Sequence, residues 1–134
     1  MDKVEILILR NLLFNEEYLR KVIPFIKADY FEDPHQKVLF EEILNFVNEY
    51  NQPTTKEVLY IEVEKRQDIT DTSFQEITKL ISYLEDVPSD YEWLLNTTET
   101  WCKDRAIYLA LIESIALADG KDETKDRGAI PSIL

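Results

Sequence analysis

The sequence predicts an all-α protein, with a compact helical head followed by a long helical-hairpin arm. Apolar residues recur at the three- and four-residue spacing of one helix face. The chain has only two glycines, both near its end, whereas strand-rich folds need frequent turn glycines. With 134 residues, 45% of them apolar, it can bury a core without metal or disulfide staples.

Three helices are predicted in the first part of the chain. Residues 3–13 form a short apolar helix that we expect to be buried on most sides. Asn15 is the predicted N-cap of the second helix, which Pro24 should end or kink. Asp33 and Pro34 open the third helix, with the acid at the cap and the proline at the first helical position.

Three capping boxes are predicted to open the remaining helices. In such a box a serine or threonine lies three positions before a glutamate, and each side chain accepts from a free backbone N–H of the other residue. The predicted boxes are Thr54–Glu57, Ser73–Glu76 and Ser89–Glu92. We expect Val58 and Ile61, with Leu59 as a further candidate, to point inward from the fourth helix, and the last helix to cover roughly residues 89–118.

The second half of that last helix is apolar on nearly every side. Between Ala106 and Ala118 only Glu113 and Ser114 are polar. A helix that faces one core shows an apolar stripe, so this half must be covered from at least two directions. An antiparallel helix or a second copy of the protein would supply the second cover. The predicted self-association surface consists of Trp101, Leu109, Ile112, Ile115 and Ala116.

The predicted organisation is a head, residues 1–87, and an arm, residues 88–134. Residues 121–127 are polar and mostly charged, as in a solvated connector. Residues 128–134 turn apolar again, and the chain stops inside this stretch. We therefore expect it to be part of a longer protein.

The charge balance bears on the kind of partner. The net charge is −12, with 15 basic residues interspersed among 27 acidic ones. Nucleic-acid grooves need clustered Lys and Arg, so we expect no tight DNA binding by this domain. Its field should instead attract basic proteins. A single cysteine, Cys102, and no apolar run of about 18 residues predict a soluble, cytoplasmic protein without membrane association.

The sequence contains no pattern typical of a catalytic or nucleotide-binding site. GxxxxGK[ST], GxGxxG, CxxC, HExxH and GxSxG are all missing. One cluster could bind a metal or transfer protons, and it comprises Asp29, Glu32, Asp33 and His35. Helix capping explains these residues more simply, since a single histidine leaves a site short of nitrogen ligands. We predict no catalytic residue, cofactor or metal in this chain.

Trp101 has two interpretations. As a large apolar side chain in the middle of a helix it fits a core position. Tryptophan is also enriched at binding hot spots, which is why Trp101 is included in the predicted surface.

Several segments, in order, resemble the N-terminal domain of DnaB-type replicative helicases. Residues 29–31 (DYF) and 34–43 (PHQKVLFEEI) resemble the stretch that opens the third helix in that family. A later helix start of the family is similar to residues 53–54 (PT). Its long hairpin helix is similar to residues 101–107 (WCKDRAI). Residues 128–134 look like the second hairpin arm of helicases from T-even-type phages. The resemblance covers essentially the whole chain.

One departure is Gln36, where bacterial members usually have an arginine. The resemblance implies a longer parent that forms hexameric rings, hydrolyses ATP with Mg²⁺ in a C-terminal domain, and moves 5′→3′ along DNA. It also implies that the N-terminal domains pair through their hairpins and form a collar that recruits primase and influences helicase loading. The expected role is therefore oligomerisation and partner docking for a phage helicase in an infected bacterial cell.

Two other function classes remain open. A free-standing acidic adaptor, such as a DNA-mimic inhibitor, would need acids spaced along one exposed face, but the acids here are mixed with lysines and arginines. A small helical enzyme would need a convergent polar cluster, which only the segment from Asp29 to His35 could supply.

Overall fold

The computed structural model describes residues 3–119, and every regular element in that range is helical. The predicted all-α class is confirmed. Two 3₁₀ turns, Ile23–Phe25 and Ala28–Tyr30, connect the second and third helices. The α-helices are α1 (Lys3–Phe14), α2 (Glu16–Val22), α3 (Pro34–Tyr50), α4 (Lys56–Lys65), α5 (Asp71–Tyr83) and α6 (Tyr91–Ala118).

The chain divides into two compact units after Cys102. The first unit, Met1–Cys102, is called the head from here on and extends beyond the predicted head of residues 1–87. It holds α1 to α5 and the first turns of α6. Those first turns, which the sequence analysis assigned to the arm, contribute the buried Leu94 and Thr98. The second unit begins at Lys103. The predicted connector at 121–127 and the apolar stretch at 128–134 lie outside the described residues.

Helix α1 lies at the centre of the head, as its apolar sequence predicts. Ile8, Leu9 and Leu12 are completely buried, and α1 contacts both α2 and α3. Because so many of its sides are covered, even Asn11 is buried, and its Nδ2 donates to the Leu7 carbonyl at 2.8 Å. That bond offsets the cost of burying the amide.

Helices α3, α4 and α5 pack against one another around the same core. The predicted inward position of Ile61 on α4 is wrong, since this side chain is 49% exposed. The further candidate Leu59 is buried, and so is Val63 one turn later, which was not predicted. The sequence from Val58 to Ile61 is apolar or aromatic throughout, so its spacing left the inward face ambiguous, and packing against α3 and α5 selected it.

Two predicted helix starts are confirmed. Asn15 Oδ1 accepts from the Tyr18 N–H at 3.1 Å, and Asp33 Oδ1 accepts from the His35 N–H at 2.8 Å with Pro34 at the first helical position. Helix α2 ends at Val22, two residues before Pro24, as expected. Each of these signals acts on its own neighbouring backbone, which is why the sequence alone was sufficient.

The three predicted capping boxes are wrong in position. The caps are Thr55, Thr70 and Asp90 rather than Thr54, Ser73 and Ser89, and their side-chain oxygens accept from Val58, Ser73 and Trp93. Each start offers more than one suitable side chain within a turn. Thr54 is buried, so the exposed Thr55 is left to cap α4, and α5 simply begins one turn earlier than its box suggested.

Replacing Asp33 with alanine should lower the free energy of unfolding by about 1 kcal/mol, because the first N–H groups of α3 lose their acceptor. Asp29→Ala is the matched control, since Asp29 is exposed and pairs with Lys37 without capping a helix in the described residues. Urea unfolding followed by circular dichroism would measure both. Equal losses for the two variants would contradict the cap assignment.

Candidate functional site

The second unit presents a row of large apolar side chains to solvent. They share one side of α6, are each 45% to 60% exposed, and are called the apolar face below: Ile107, Tyr108, Leu111, Ile112 and Ile115. Their i, i+4 spacing (107, 111, 115 and 108, 112) keeps them on one stripe. An apolar stripe of this extent on an exposed helix is typical of an interaction surface.

The structure separates the residues of the predicted self-association surface. Ile112 and Ile115 lie on the apolar face, whereas Leu109 and Ala116 are only partly exposed. Trp101 belongs to the head. The role of these residues in self-association stays a prediction.

Three members of the apolar face were not among the predicted residues, namely Ile107, Tyr108 and Leu111. Their helical spacing relative to Ile112 and Ile115 was present in the sequence. Because almost every position of the stretch is apolar, however, spacing could not distinguish the exposed stripe from the rest.

Trp101 takes part in an aromatic cluster within the head. Its ring centroid lies 5.0 Å from that of Phe31 and 5.9 Å from that of Tyr30, the latter in an edge-to-face arrangement. The ring centroids of Phe31 and Phe40 of α3 are in turn 5.2 Å apart. Such pairs add to the stability that burial alone supplies. These ring contacts with residues of the same chain fit the interpretation of Trp101 as a core residue.

A buried hydrogen bond holds the same part of α6 against α2. The Tyr18 hydroxyl and Thr98 Oγ1 are 2.7 Å apart, and Thr98 also donates to the Leu94 carbonyl at 2.8 Å. Burial raises the pKa of Tyr18 well above its ordinary value, and burial raises the pKa of the Cys102 thiol to about 11. Both groups therefore favour the neutral state in the folded protein.

These shifts predict a loss of stability in alkaline solution. Between the ordinary thiol pKa of about 9 and the folded value of about 11, the unfolded chain releases the Cys102 proton and the folded chain keeps it. The unfolded state then binds fewer protons, so the free energy of unfolding falls as pH rises. Tyr18 acts in the same direction above its ordinary pKa of about 10.

Urea unfolding from pH 8 to 11 would measure this loss. Cys102→Ala should flatten the decline above pH 9. A variant that declines as steeply as the original protein would contradict the assignment to Cys102.

The carboxylates around His35 serve local structure. Asp33 caps α3 and lies 3.6 Å from His35 Nδ1, while Asp29 pairs with Lys37 at 3.4 Å. Within residues 3–119, no three His, Cys, Asp or Glu side chains come together in a way that could hold a metal ion. The capping interpretation of this segment agrees with the observed geometry.

Arg66 is the centre of an ion-pair cluster that was not predicted from the sequence. Its guanidinium lies 2.7 Å from Glu42, 3.1 Å from Glu41 and 2.7 Å from Asp68. The hydrogen bonds with Asp68, together with the two glutamates, hold the pKa of Arg66 above its ordinary value. The cluster ties the segment after α4 to α3. Because more than 20 residues separate Arg66 from the glutamates, no local sequence signal reveals it.

The head has a cleft between α1 and the segment that follows α5, called the α1 cleft below. Its volume is about 270 Å³. It is lined by Ile6, Arg10, Tyr83, Leu84, Glu85 and Val87. Arg10 Nε is shielded from solvent and has no hydrogen-bond acceptor among the described residues. A buried donor without an acceptor is costly, which distinguishes this site from an ordinary surface depression.

A wider groove lies on the neighbouring side of α5. Its volume is about 530 Å³, and it is bordered by Tyr60, Thr78, Lys79, Ser82 and Tyr83. Some of its polar groups have partners within the chain: Lys79 pairs with Glu76, and the Ser82 carbonyl accepts from Lys56. Unlike the α1 cleft, this groove is not lined by a buried side-chain donor that lacks an acceptor among the described residues.

Comparisons with known proteins agree with this architecture. The family described as the DnaB-like helicase N terminal domain matches residues 2–94. The chain is 32% identical over 136 aligned positions to a protein of Enterobacteria phage T4 named "DnaB-like replicative helicase". The alignment covers 96% of this chain and 28% of the T4 protein. Among the described helices, none is long and apolar enough to span a membrane.

Proposed function

This chain belongs to the family of DnaB-like helicase N-terminal domains, and from that premise we propose that it is the oligomerisation and partner-docking domain of a phage replicative DNA helicase. In this proposal copies of the domain pair through α6 and form a collar. Unwinding, with its ATP and Mg²⁺, is the work of a motor domain in the parent protein. The chain spans about 28% of the T4 relative, whose name as a replicative helicase supports this reading.

The observation that carries the proposal is the apolar face. Five large apolar side chains on one stripe are exposed to water. Burying each Å² of their apolar surface would contribute roughly 25 cal/mol of favourable free energy. Packing against another surface recovers that contribution, less the cost of association.

The spacing of the face supports a second copy as its partner. Ile107 and Ile115 lie four residues on either side of Leu111, so this row reads the same from either end. When two such helices pack antiparallel, Leu111 lies near the two-fold axis and Ile107 of each copy meets Ile115 of the other. A two-fold pair of this kind uses the same patch on both copies and is closed.

The partner-docking part of the proposal is supported by charge. A net charge of −12 attracts basic proteins and accelerates their association. We propose primase as one partner and a helicase loader as a second. The same field opposes the phosphate backbone, so tight DNA binding by this domain is not part of the proposal.

The ion pairs of the head argue against the DNA-mimic alternative. Carboxylates lie beside basic side chains at Glu16–Arg20, Glu62–Lys65 and Glu76–Lys79. A mimic of DNA needs a row of acids that resembles successive phosphates, whereas this surface alternates in sign.

Sedimentation equilibrium of the 134-residue chain over a wide concentration range tests the proposed function. We expect a reversible shift from monomer to dimer as concentration rises, with no change when DNA is added. A chain that stays monomeric at about millimolar concentration, where even weak pairs form, would contradict oligomerisation through α6.

A further inference from the structure

We propose that the α1 cleft is a docking site for a basic amphipathic helix of a partner protein, which inserts one carboxylate toward Arg10. The inference rests on the partner-docking part of the proposed function and adds the place and the chemistry of one contact. It concerns the head alone and uses no residue of the apolar face.

Arg10 provides the first argument. Of the three arginines in the described head, Arg20 donates to Glu16 and Asn51, and Arg66 donates to three carboxylates. Arg10 differs, because its Nε is buried without an acceptor in the described part of the chain. A carboxylate is the acceptor best matched to a guanidinium. Because Nε is shielded in the unbound chain, the docked carboxylate reaches it as the Arg10 side chain turns toward the cleft.

The walls of the cleft provide the second argument. Tyr83 and Val87 are 65% and 44% exposed, although both are apolar or aromatic and both border the cleft. Ile6 and Leu84 are buried beneath them. Apolar walls around one specific polar group are typical of sites that recognise a side chain. The volume of about 270 Å³ suits one or two side chains and is below that of ordinary small-molecule pockets.

The net charge of the chain restricts the kind of partner segment that can supply the inserted carboxylate. With a net charge of −12 on the chain, and with Glu85 in the cleft itself, a strongly acidic segment would be repelled. The partner must therefore be attracted to an acidic surface and must also supply one carboxylate to Arg10. A helix that is basic on its outer face and has one acid among apolar residues on its inner face meets these two requirements. Residues three and four apart on a helix share a face, so the acid and its apolar neighbours can enter together.

Two synthetic helical peptides test this inference. Both have blocked ends, lysines on the outer face and leucines on the inner face, and they differ only in one inner residue, glutamate or glutamine. We expect the 134-residue chain to bind the glutamate peptide at least about tenfold more tightly, as one charge-assisted hydrogen bond to a shielded donor would give. The Arg10 Nε–H resonance should shift on binding of that peptide only.

Variants of the chain locate the contact. Arg10→Gln should abolish the preference for glutamate, whereas Arg20→Gln, which changes an exposed arginine of the head, should retain it. Val87→Asp is a second variant at an exposed position and should also abolish the preference, because it places the chain's own carboxylate at the cleft. This variant keeps the test valid even where Arg10→Gln fails to fold.

Equal affinity for the two peptides would overturn the proposal, and so would a preference that survives in Arg10→Gln or in Val87→Asp. Sedimentation of the same samples without peptide distinguishes this failure from that of the proposed function. If the chain self-associates but binds the two peptides equally, the docking site at the α1 cleft is ruled out and the proposed function stands.

Discussion

Replacing Ile112 with aspartate is expected to weaken self-association of this chain by about 100-fold or more. In a two-fold pair the substitution occurs once in each copy, and because Ile112 is already half buried, each copy loses at most about 1.5 kcal/mol of apolar burial. About 3 kcal/mol corresponds to a factor of more than 100 in the association constant. The desolvation of two carboxylates adds to this effect.

Ile61→Asp is a matched control, because Ile61 is 49% exposed and Ile112 is 48% exposed. The chemical change and the degree of exposure are the same, but Ile61 lies on α4 in the head. Sedimentation equilibrium and circular dichroism of both variants would separate association from folding. Similar association constants for the two variants would show that α6 is not the self-association surface.

Replacing Phe31 with alanine is expected to lower the free energy of unfolding by about 3–5 kcal/mol, the usual cost of removing a buried aromatic ring. Phe31 is 1% exposed and contacts both Phe40 of α3 and Trp101 of α6. The cavity therefore opens where three parts of the head meet. Urea unfolding at neutral pH would measure the loss, and the fluorescence of Trp101 should report the change around the ring.

Phe31→Leu is the control for this prediction, since it keeps most of the buried volume and should cost less than about 1.5 kcal/mol. A small loss for Phe31→Ala, close to that for Phe31→Leu, would mean that the aromatic cluster contributes little to the stability of the head. The exposed Trp93 provides an internal reference for the fluorescence, because its surroundings should not change.

Local signals explain most of what could be predicted about the fold. The Asp33-Pro34 start of α3 and the Asn15 cap of α2 were correctly predicted, because a cap acts on backbone groups within one turn. The burial of α1 was equally predictable, since a helix that is apolar on most sides has to be covered on most sides.

Where several residues could fill one role, the sequence failed to choose between them. Thr54 and Thr55 are adjacent hydroxyls, and only the burial of Thr54 decides that Thr55 caps α4. Ile61 and Leu59 are both apolar residues of α4, and only packing against α3 and α5 decides that Leu59 is buried. Each choice depends on residues distant in sequence.

The sequence by itself determined that this protein is helical. It further predicts that the charge disfavours DNA and that the second half of α6 packs against more than one core. These are properties of composition and spacing, which are readable without coordinates. Only the tertiary structure decided which stripe of α6 is exposed, that Arg66 gathers three carboxylates, and that Arg10 Nε is buried without an acceptor among the described residues. The physical reason is that burial and pairing arise between segments far apart in the chain, whereas helix spacing and capping arise within a few residues.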